Sequence, residues 1–343
     1  MESKTVLAGL SLDELKKLLE TYPSYRSVQI YERICSGAKD FDEISSLPLR
    51  LRKELKDKYQ LLAGKISGEQ KSTDSTVKIA ITLEDGITIE SVLLVDDKDR
   101  KTACLSTQAG CGIGCVFCKT GSMGLKRNLN YREIISQFLY LIKEKEKPSH
   151  IVIMGMGEPL MNIGELRKAL NFFMKKDTLN ISKRRITLST SGIAEGIEDF
   201  TNNGPDIGLA FSLLTARQEL RDKLIPVSKK NPLPLLKEKL INYQKIRKHR
   251  ITLEMVLLKN INTTKEDIIA ASDFAADLDV VFNIIPWNKV EGLSFEGMEL
   301  KTPAIQEVNE YCNTLLNMGF NVTKRHKKGN EIQGACGQLA LVT

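Results

Sequence analysis

Cys111-Gly112-Ile113-Gly114-Cys115-Val116-Phe117-Cys118 is the stretch on which the reading of this chain turns. Its three cysteines follow a Cys-x3-Cys-x2-Cys spacing with two glycines between them and Thr120-Gly121 just beyond, so the backbone can wrap tightly around a small centre. Thiolates in such a wrap suit zinc or iron and sulfur. A closed structural zinc site takes four ligands, and no nearby histidine supplies the fourth. An iron-sulfur cube on three cysteines would instead keep one iron open. A structural metal knuckle, or reduced cysteines in a core, are the plainer alternatives.

Outward from this loop, strand-like and helix-like segments alternate. Candidate strands are 103–106, 150–154, 185–189, 207–212, 251–256 and 280–285, with amphipathic runs such as 134–142 and 233–246 between them. Six β-α units predict a parallel sheet with helices outside, and six rather than eight predicts an open, partial barrel whose mouth admits a macromolecule. The unusual residues come just after the strands, where barrel sites gather. The cysteine loop follows the first, Gly155-Met156-Gly157-Glu158-Pro159-Leu160 the second, Thr190-Ser191-Gly192 the third and Pro286-Trp287-Asn288 the sixth.

Upstream, Leu10-Ser11-Leu12-Asp13-Glu14-Leu15 reads as a helix start, with Ser11 and Glu14 as a capping box. Two further helical patterns follow, and Arg26, Arg33, Arg50, Arg52 and Lys53 lie among them, able to meet phosphates or simply water. The polar stretch 65–76 reads as a linker. Alternation on both sides of Asp85-Gly86 reads as a β-hairpin. The resulting division is a helical accessory module over 1–64, a linker and hairpin extension over 65–102, a barrel over 103–290 and a C-terminal segment over 291–343.

A chain of 343 residues that is 42% hydrophobic and 27% charged has the makings of a globular protein. No apolar run is long enough to span a bilayer, so no membrane partner is expected. Met1-Glu2-Ser3-Lys4 does not begin a secretory signal, which predicts a cytoplasmic protein with its seven cysteines reduced. A net charge of +7 is compatible with RNA as a partner but does not choose it over mere solubility.

The cysteine loop resembles that of the radical S-adenosylmethionine (SAM) enzymes, whose open iron chelates the amino and carboxylate groups of SAM. Further motifs are Cys104-Leu105-Ser106-Thr107-Gln108-Ala109-Gly110-Cys111, Gly155 to Leu160, Arg185 to Gly192, Ile285-Pro286-Trp287-Asn288 and Ala335-Cys336-Gly337-Gln338-Leu339. Together they resemble the RlmN family, dual-specificity radical SAM methyltransferases that methylate C2 of adenosine in 23S rRNA and in tRNA. The resemblance implies a partial (β/α)6 radical SAM barrel and a 4Fe-4S cluster on Cys111, Cys115 and Cys118. It also implies 23S rRNA and tRNA as partners, and an electron donor such as flavodoxin or ferredoxin.

The chemistry explains why the family needs two more cysteines. C2 of adenine lies between two ring nitrogens and is too electron-poor to attack a sulfonium methyl, but a carbon radical can add there. In the mechanism the resemblance implies, Cys336 takes a methyl from one SAM, and a second SAM yields a 5'-deoxyadenosyl radical that removes hydrogen from the S-methyl group. The thiomethylene radical adds to C2 and joins protein to RNA. Cys104 then attacks the Cys336 sulfur, forming a disulfide bond as the methylated base departs, while Glu90 takes the C2 proton.

The resemblance further assigns SAM contacts to Gly157, Glu158, Ser189, Ser212, Leu213, Leu214 and Asn288. Leu214 stands where the family has histidine and cannot offer an imidazole's polar contact. The basic run Lys324-Arg325-His326-Lys327-Lys328 is expected to approach RNA phosphates. Cys35 and Cys312 match no family motif and are expected to pack. Two rivals are the sister group that methylates C8 of adenosine in rRNA, against which Pro159 argues, and a non-catalytic iron-sulfur RNA-binding paralogue, which would use neither Cys104 nor Cys336.

Overall fold

In the computed structural model, which describes residues 4–143, 146–325 and 328–340, a two-residue rhythm builds the central sheet. Ile251, Leu253, Met255 and Leu257 are all buried, whereas Thr252, Glu254 and Val256 between them turn to a hollow on the other face. The strand therefore has an apolar back and a mixed front. Val280, Phe282 and Ile284 repeat the pattern beside it, with Val281, Asn283 and Ile285 toward the hollow.

Ten strands share the sheet. In chain order they are β1 (Lys65–Lys71), β2 (Val77–Thr82), β3 (Thr88–Val95), β4 (Lys101–Cys104), β5 (His150–Ile153), β6 (Ile186–Thr190), β7 (Gly208–Phe211), β8 (Ile251–Leu257), β9 (Val280–Pro286) and β10 (Asn321–Lys324). Each lies next to its predecessor across the whole sheet. From β4 to β10 every pairing is parallel, while β1 to β4 pair antiparallel. The edges β1 and β10 do not meet, so the barrel is open.

Three helices precede the sheet: α1 (Leu12–Leu18), α2 (Ser24–Cys35) and α3 (Leu49–Lys58). The Ser11–Glu14 capping box forms as the sequence predicts. Among the arginines expected to meet phosphates, three are spent inside this module. Arg26 donates to the Ser46 carbonyl (3.0 Å), Arg33 to that of Glu43 (3.1 Å), and Arg52 to those of Leu47 (2.8 Å) and Ser45 (2.9 Å). They pin the loop before α3, which leaves Arg50 and Lys53 as exposed cations on that helix.

The crossovers between parallel strands carry α4 (Lys119–Ser122) and α5 (Tyr131–Tyr140), α6 (Ile163–Met174), α7 (Ala194–Asn203), α8 (Gln218–Leu224) and α9 (Leu233–Arg247), α10 (Lys265–Ala275) and α11 (Ile305–Asn317). The main core fills the space between these helices and the back of the sheet. No helix among the described residues is long and apolar enough to cross a membrane.

All six expected parallel strands are present, and two more elements join them. The stretch read as a linker contains β1, a strand exposed along its whole length. An edge strand with no buried face lacks the hydrophobic alternation by which strands are recognised. β10 hides for the same reason, since of its four residues only Val322 is partly buried. It adds a seventh parallel strand, and with it a new position, just after its end, facing the hollow.

Candidate active site

The cysteine loop is fastened at its base and along its back. Gln108–Gly110 pairs antiparallel with Leu125–Asn128, and the Cys111 amide donates to the Gly124 carbonyl at 3.0 Å. Gly110, at φ +79°, admits no side chain, because a Cβ there would stand 1.9 Å from the Gly124 carbonyl oxygen. Trp287 Nε1 donates to the Phe117 carbonyl at 2.9 Å, and the Val116 amide to that of Leu224 at 3.1 Å. Behind the loop Ile113, Leu214, Leu224, Ile225, Leu258 and Trp287 make a second apolar core, against which Cys111 and Cys115 pack. In front, Cys111, Cys115 and Cys118 line a cavity of about 770 Å³, counting its open part.

The opposite wall comes from the ends of β5, β6 and β7, including Gly157, Glu158, Ser189 and Ser212. Gly157 has φ +102° and lies so near Gln108 that a Cβ would stand 2.5 Å from the Gln108 Cβ; Gln108 Oε1 in turn accepts the Glu158 amide at 2.9 Å. The Ser189 and Ser212 hydroxyls are 3.5 Å apart.

Glu158 is buried, and its carboxylate already accepts from Thr190 Oγ1 (2.7 Å), the Ser191 amide (2.8 Å), Ser191 Oγ (2.7 Å) and the Leu160 amide (3.1 Å). A carboxylate has about four acceptor sites, so protein donors fill this one and make it a tie between the ends of β5 and β6. Burial pushes its pKa up against the pull of those donors.

The side chains of Leu213 and Leu214, expected beside the cofactor, turn away from the cavity. Neither lines the cavity: Leu213 is buried in the main core and Leu214 in the second one. The chain turns sharply after β7, with Leu214 at φ +59°, its amide bonded to the Glu254 carbonyl (3.1 Å) and its carbonyl to Asn262 Nδ2 (2.8 Å). That turn aims the side chain behind the cysteine loop. Arg221, which no sequence pattern singled out, holds the same region: its buried guanidinium donates to the carbonyls of Ser191 (2.6 Å), Ser212 (2.9 Å) and Leu213. Burial brings its pKa down to about 10.

A second cavity of about 630 Å³ adjoins the first, lined by Cys104 at the end of β4, Asn288 after β9 and Cys336 in the C-terminal segment. Met154, Ile285, Arg325 and Cys336 line both, so Cys336 stands where the two meet. Its segment is held by bonds from the Lys119 amide to the Gly337 carbonyl (2.9 Å), Thr120 Oγ1 to the Leu339 carbonyl (2.6 Å) and Asn288 Nδ2 to the Cys336 carbonyl (3.1 Å). Cys336 is exposed to the lumen, yet surrounding protein displaces enough water to push its thiol pKa up, against the pull of Arg325. Cys104 is buried and, like every described cysteine, free; no disulfide joins it to Cys336. Cys312 is buried and Cys35 partly so.

Glu90 lies on β3 on the same face as Cys104, because Val92, two residues along, is the register partner of both Cys104 and Lys78. Glu90 Oε1 is 3.0 Å from Lys78 Nζ, both side chains are buried, and Glu90 Oε2 lacks a well-aligned hydrogen bond although the Ala340 amide also draws on the carboxylate. Burial raises the Glu90 pKa and Lys78 opposes the rise. Glu90 is not among the residues that line the two cavities.

The described residues of the basic run near the C-terminus divide. Lys324 donates to Asn309 Oδ1 (2.9 Å), Lys328 pairs with Asp97 (2.7 Å), and Arg325 turns inward to both cavities. His326 and Lys327 lie outside the described residues.

The donor set fits an iron-sulfur cluster. Among the described residues no three His, Cys, Asp or Glu side chains converge as a single ion requires; a tetrahedral zinc, with Zn–S of about 2.3 Å, draws sulfurs to roughly 3.8 Å of one another. Three thiols, Cys111, Cys115 and Cys118, on the wall of an open cavity suit a cluster with one corner free. Burial pushes all three thiol pKa values up, so a metal centre must displace their protons as it binds. In the adjoining second cavity, beside Cys336, Asn288 Oδ1 is buried without a partner, an acceptor left for a ligand's donor.

Comparison with known proteins agrees with this geometry. A profile of the Radical SAM superfamily matches residues 105–274. A Treponema denticola protein named probable dual-specificity RNA methyltransferase RlmN is 43% identical, over 98% of this chain and 95% of its own length. The Geobacter sulfurreducens dual-specificity RNA methyltransferase RlmN is 34% identical, over 99% and 93%. The crystal structure of a radical SAM methyltransferase from Sphaerobacter thermophilus superposes with a TM-score of 0.89 at 31% identity, covering 98% of this chain and 99% of that one.

Proposed function

The chain belongs to the RlmN family of radical SAM RNA methyltransferases, and from that we propose that it methylates C2 of adenosine in 23S rRNA and in tRNA through a covalent protein-RNA intermediate. Its cofactors are a 4Fe-4S cluster and SAM, which when bound supply a methyl group and a carbon-centred radical. Cys111, Cys115 and Cys118 hold the cluster. The facing strand ends, with Gly157, Ser189, Ser212 and Asn288, hold SAM, and Glu158 keeps that wall in register.

Cys336 carries the one-carbon unit to the base, Cys104 frees the product by bonding to the Cys336 sulfur, and Glu90 takes the C2 proton, with Lys78 favouring the ionised carboxylate that a base requires. In this reading 1–64 is an accessory module, 65–102 an extension of the sheet, 103–290 the catalytic barrel and 291–343 the carrier segment. An RNA substrate of this kind places the enzyme in the cytoplasm, with flavodoxin or ferredoxin as electron donor.

The observation that carries the reading is the position of Cys336 at the junction of two cavities, one walled by the cluster cysteines and the other by Cys104. The test compares two variants of the reconstituted enzyme given SAM, a reductant and an adenosine-containing rRNA fragment. Cys104→Ala is expected to trap protein on RNA as a nuclease-sensitive species that survives a denaturing gel, and Cys336→Ala to give none. Normal turnover by Cys104→Ala, or an adduct from Cys336→Ala, overturns the division of labour. Mass spectrometry of the digested RNA identifies the methylated position.

A further inference from the structure

Two thiols that must act in sequence, Cys104 and Cys336, line the second cavity, and the cation of Arg325 lines it with them. The charged and titratable groups around Cys104 come from every neighbouring element. β3 brings Glu90, tied to Lys78; β8 brings Glu254; the C-terminal segment brings Cys336; and the chain after β10 brings Arg325 and Lys328. Lys78 and Lys328 are each in an ion pair, and Glu254 Oε2 is held by Asn283 Nδ2 at 2.8 Å. Among the described residues, no carboxylate lies within ion-pair distance of the Arg325 guanidinium, and its one recorded polar contact is Met154 Sδ at 4.0 Å. A cation without a carboxylate partner favours an anion that forms in the same cavity.

We propose that Arg325, which lines the same cavity as both thiols, is a positioning residue that eases formation of the Cys104 thiolate that attacks the Cys336 sulfur; this rests on the covalent-intermediate reading above. Burial, with a smaller push from Cys336, takes the Cys104 thiol up to about 12 even against the pull of Arg325 and the Met154 amide, so without Arg325 the thiolate would be harder still to form. Burial also works against the charge of Arg325, but Cys336, Glu254 and Cys104 more than offset this and hold its pKa above the ordinary value. The proton released from Cys104 Sγ has a polar way out, because the hollow below carries Thr102, Thr187, Thr252 and Thr323.

Iodoacetamide labelling of the cluster-loaded enzyme without SAM, read for the Cys104 peptide by mass spectrometry, tests this directly. Below a thiol's pKa the thiolate fraction changes about tenfold per unit, so the rate at one fixed pH reports the shift. Arg325→Gln is expected to slow Cys104 labelling about tenfold or more, while Arg325→Lys, which keeps the charge, stays within about threefold of the parent. Equal rates for the two variants overturn the proposal. Because both lose the guanidinium's shape, the comparison rests on charge even if packing loosens, and labelling of the buried Cys312 reports that loosening separately. The readout is a thiol and not turnover. A negative result therefore leaves the covalent intermediate standing, whereas normal turnover by Cys104→Ala removes the intermediate and leaves the labelling difference intact.

Discussion

Leu214→His separates two accounts of one residue. Position in the chain puts Leu214 among the SAM contacts, and a histidine there would then tighten SAM binding. The structure instead buries Leu214 at 1% exposure in the core shared with Ile113, Leu258 and Trp287. Losing a buried leucine side chain costs about 2–3 kcal/mol, and an imidazole without partners in an apolar core adds roughly 1–3 kcal/mol. Histidine tolerates the left-handed backbone at φ +59° somewhat better than leucine, a small offset to that loss. We expect a net loss of about 3–5 kcal/mol. The assay is urea unfolding of the reduced, cluster-free protein followed by tryptophan fluorescence, because the chain's single tryptophan, Trp287, belongs to the same core. With a urea dependence of about 3 kcal/mol per molar, the midpoint should fall by roughly 1 M or more. Leu214→Met, which conserves volume, should cost under about 1.5 kcal/mol. An unmoved midpoint together with tighter SAM binding in Leu214→His would refute the argument and return the side chain to the cavity.

Other substitutions probe the remaining parts. Glu158→Gln turns an acceptor toward Ser191 or Thr190 into a donor, which should cost about 1–3 kcal/mol; a variant that melts with the parent would mean the tie is dispensable. Lys78→Met removes the cation facing a carboxylate whose folded pKa is already above 4.5 because of burial. Such a group supports folding when protonated, below its unfolded pKa, and that support is lost as pH rises through its folded value. Lys78→Met should therefore be close to the parent in stability near acid pH and progressively weaker toward alkaline pH; a pH-independent difference contradicts the pairing. Replacing Cys111, Cys115 and Cys118 together with alanine should abolish bound iron and the brown chromophore, and retention of four irons would sink the cluster assignment.

The barrel was legible because its strands are buried on one face over four or more residues, so 251–257 and 280–286 announce themselves by alternation alone. The cysteine loop was legible because thiolate chemistry constrains spacing. What escaped shares a different cause: each depends on partners far along the chain. The exposed β1 is a strand only because β2 pairs with it, and β10 only because β9 does. Leu214 faces away from the cavity because Glu254 and Asn262, far along the chain, bond its amide and carbonyl and hold a turn that leucine alone would not choose. Arg325 read as one of a run of surface charges, since nothing local distinguishes it from Lys324. Only the added seventh parallel strand decides that the residue after its end faces the hollow. The short, polar strand that hydrophobic pattern could not find is thus the element that delivers a cation to the cavity lined by Cys104 and Cys336.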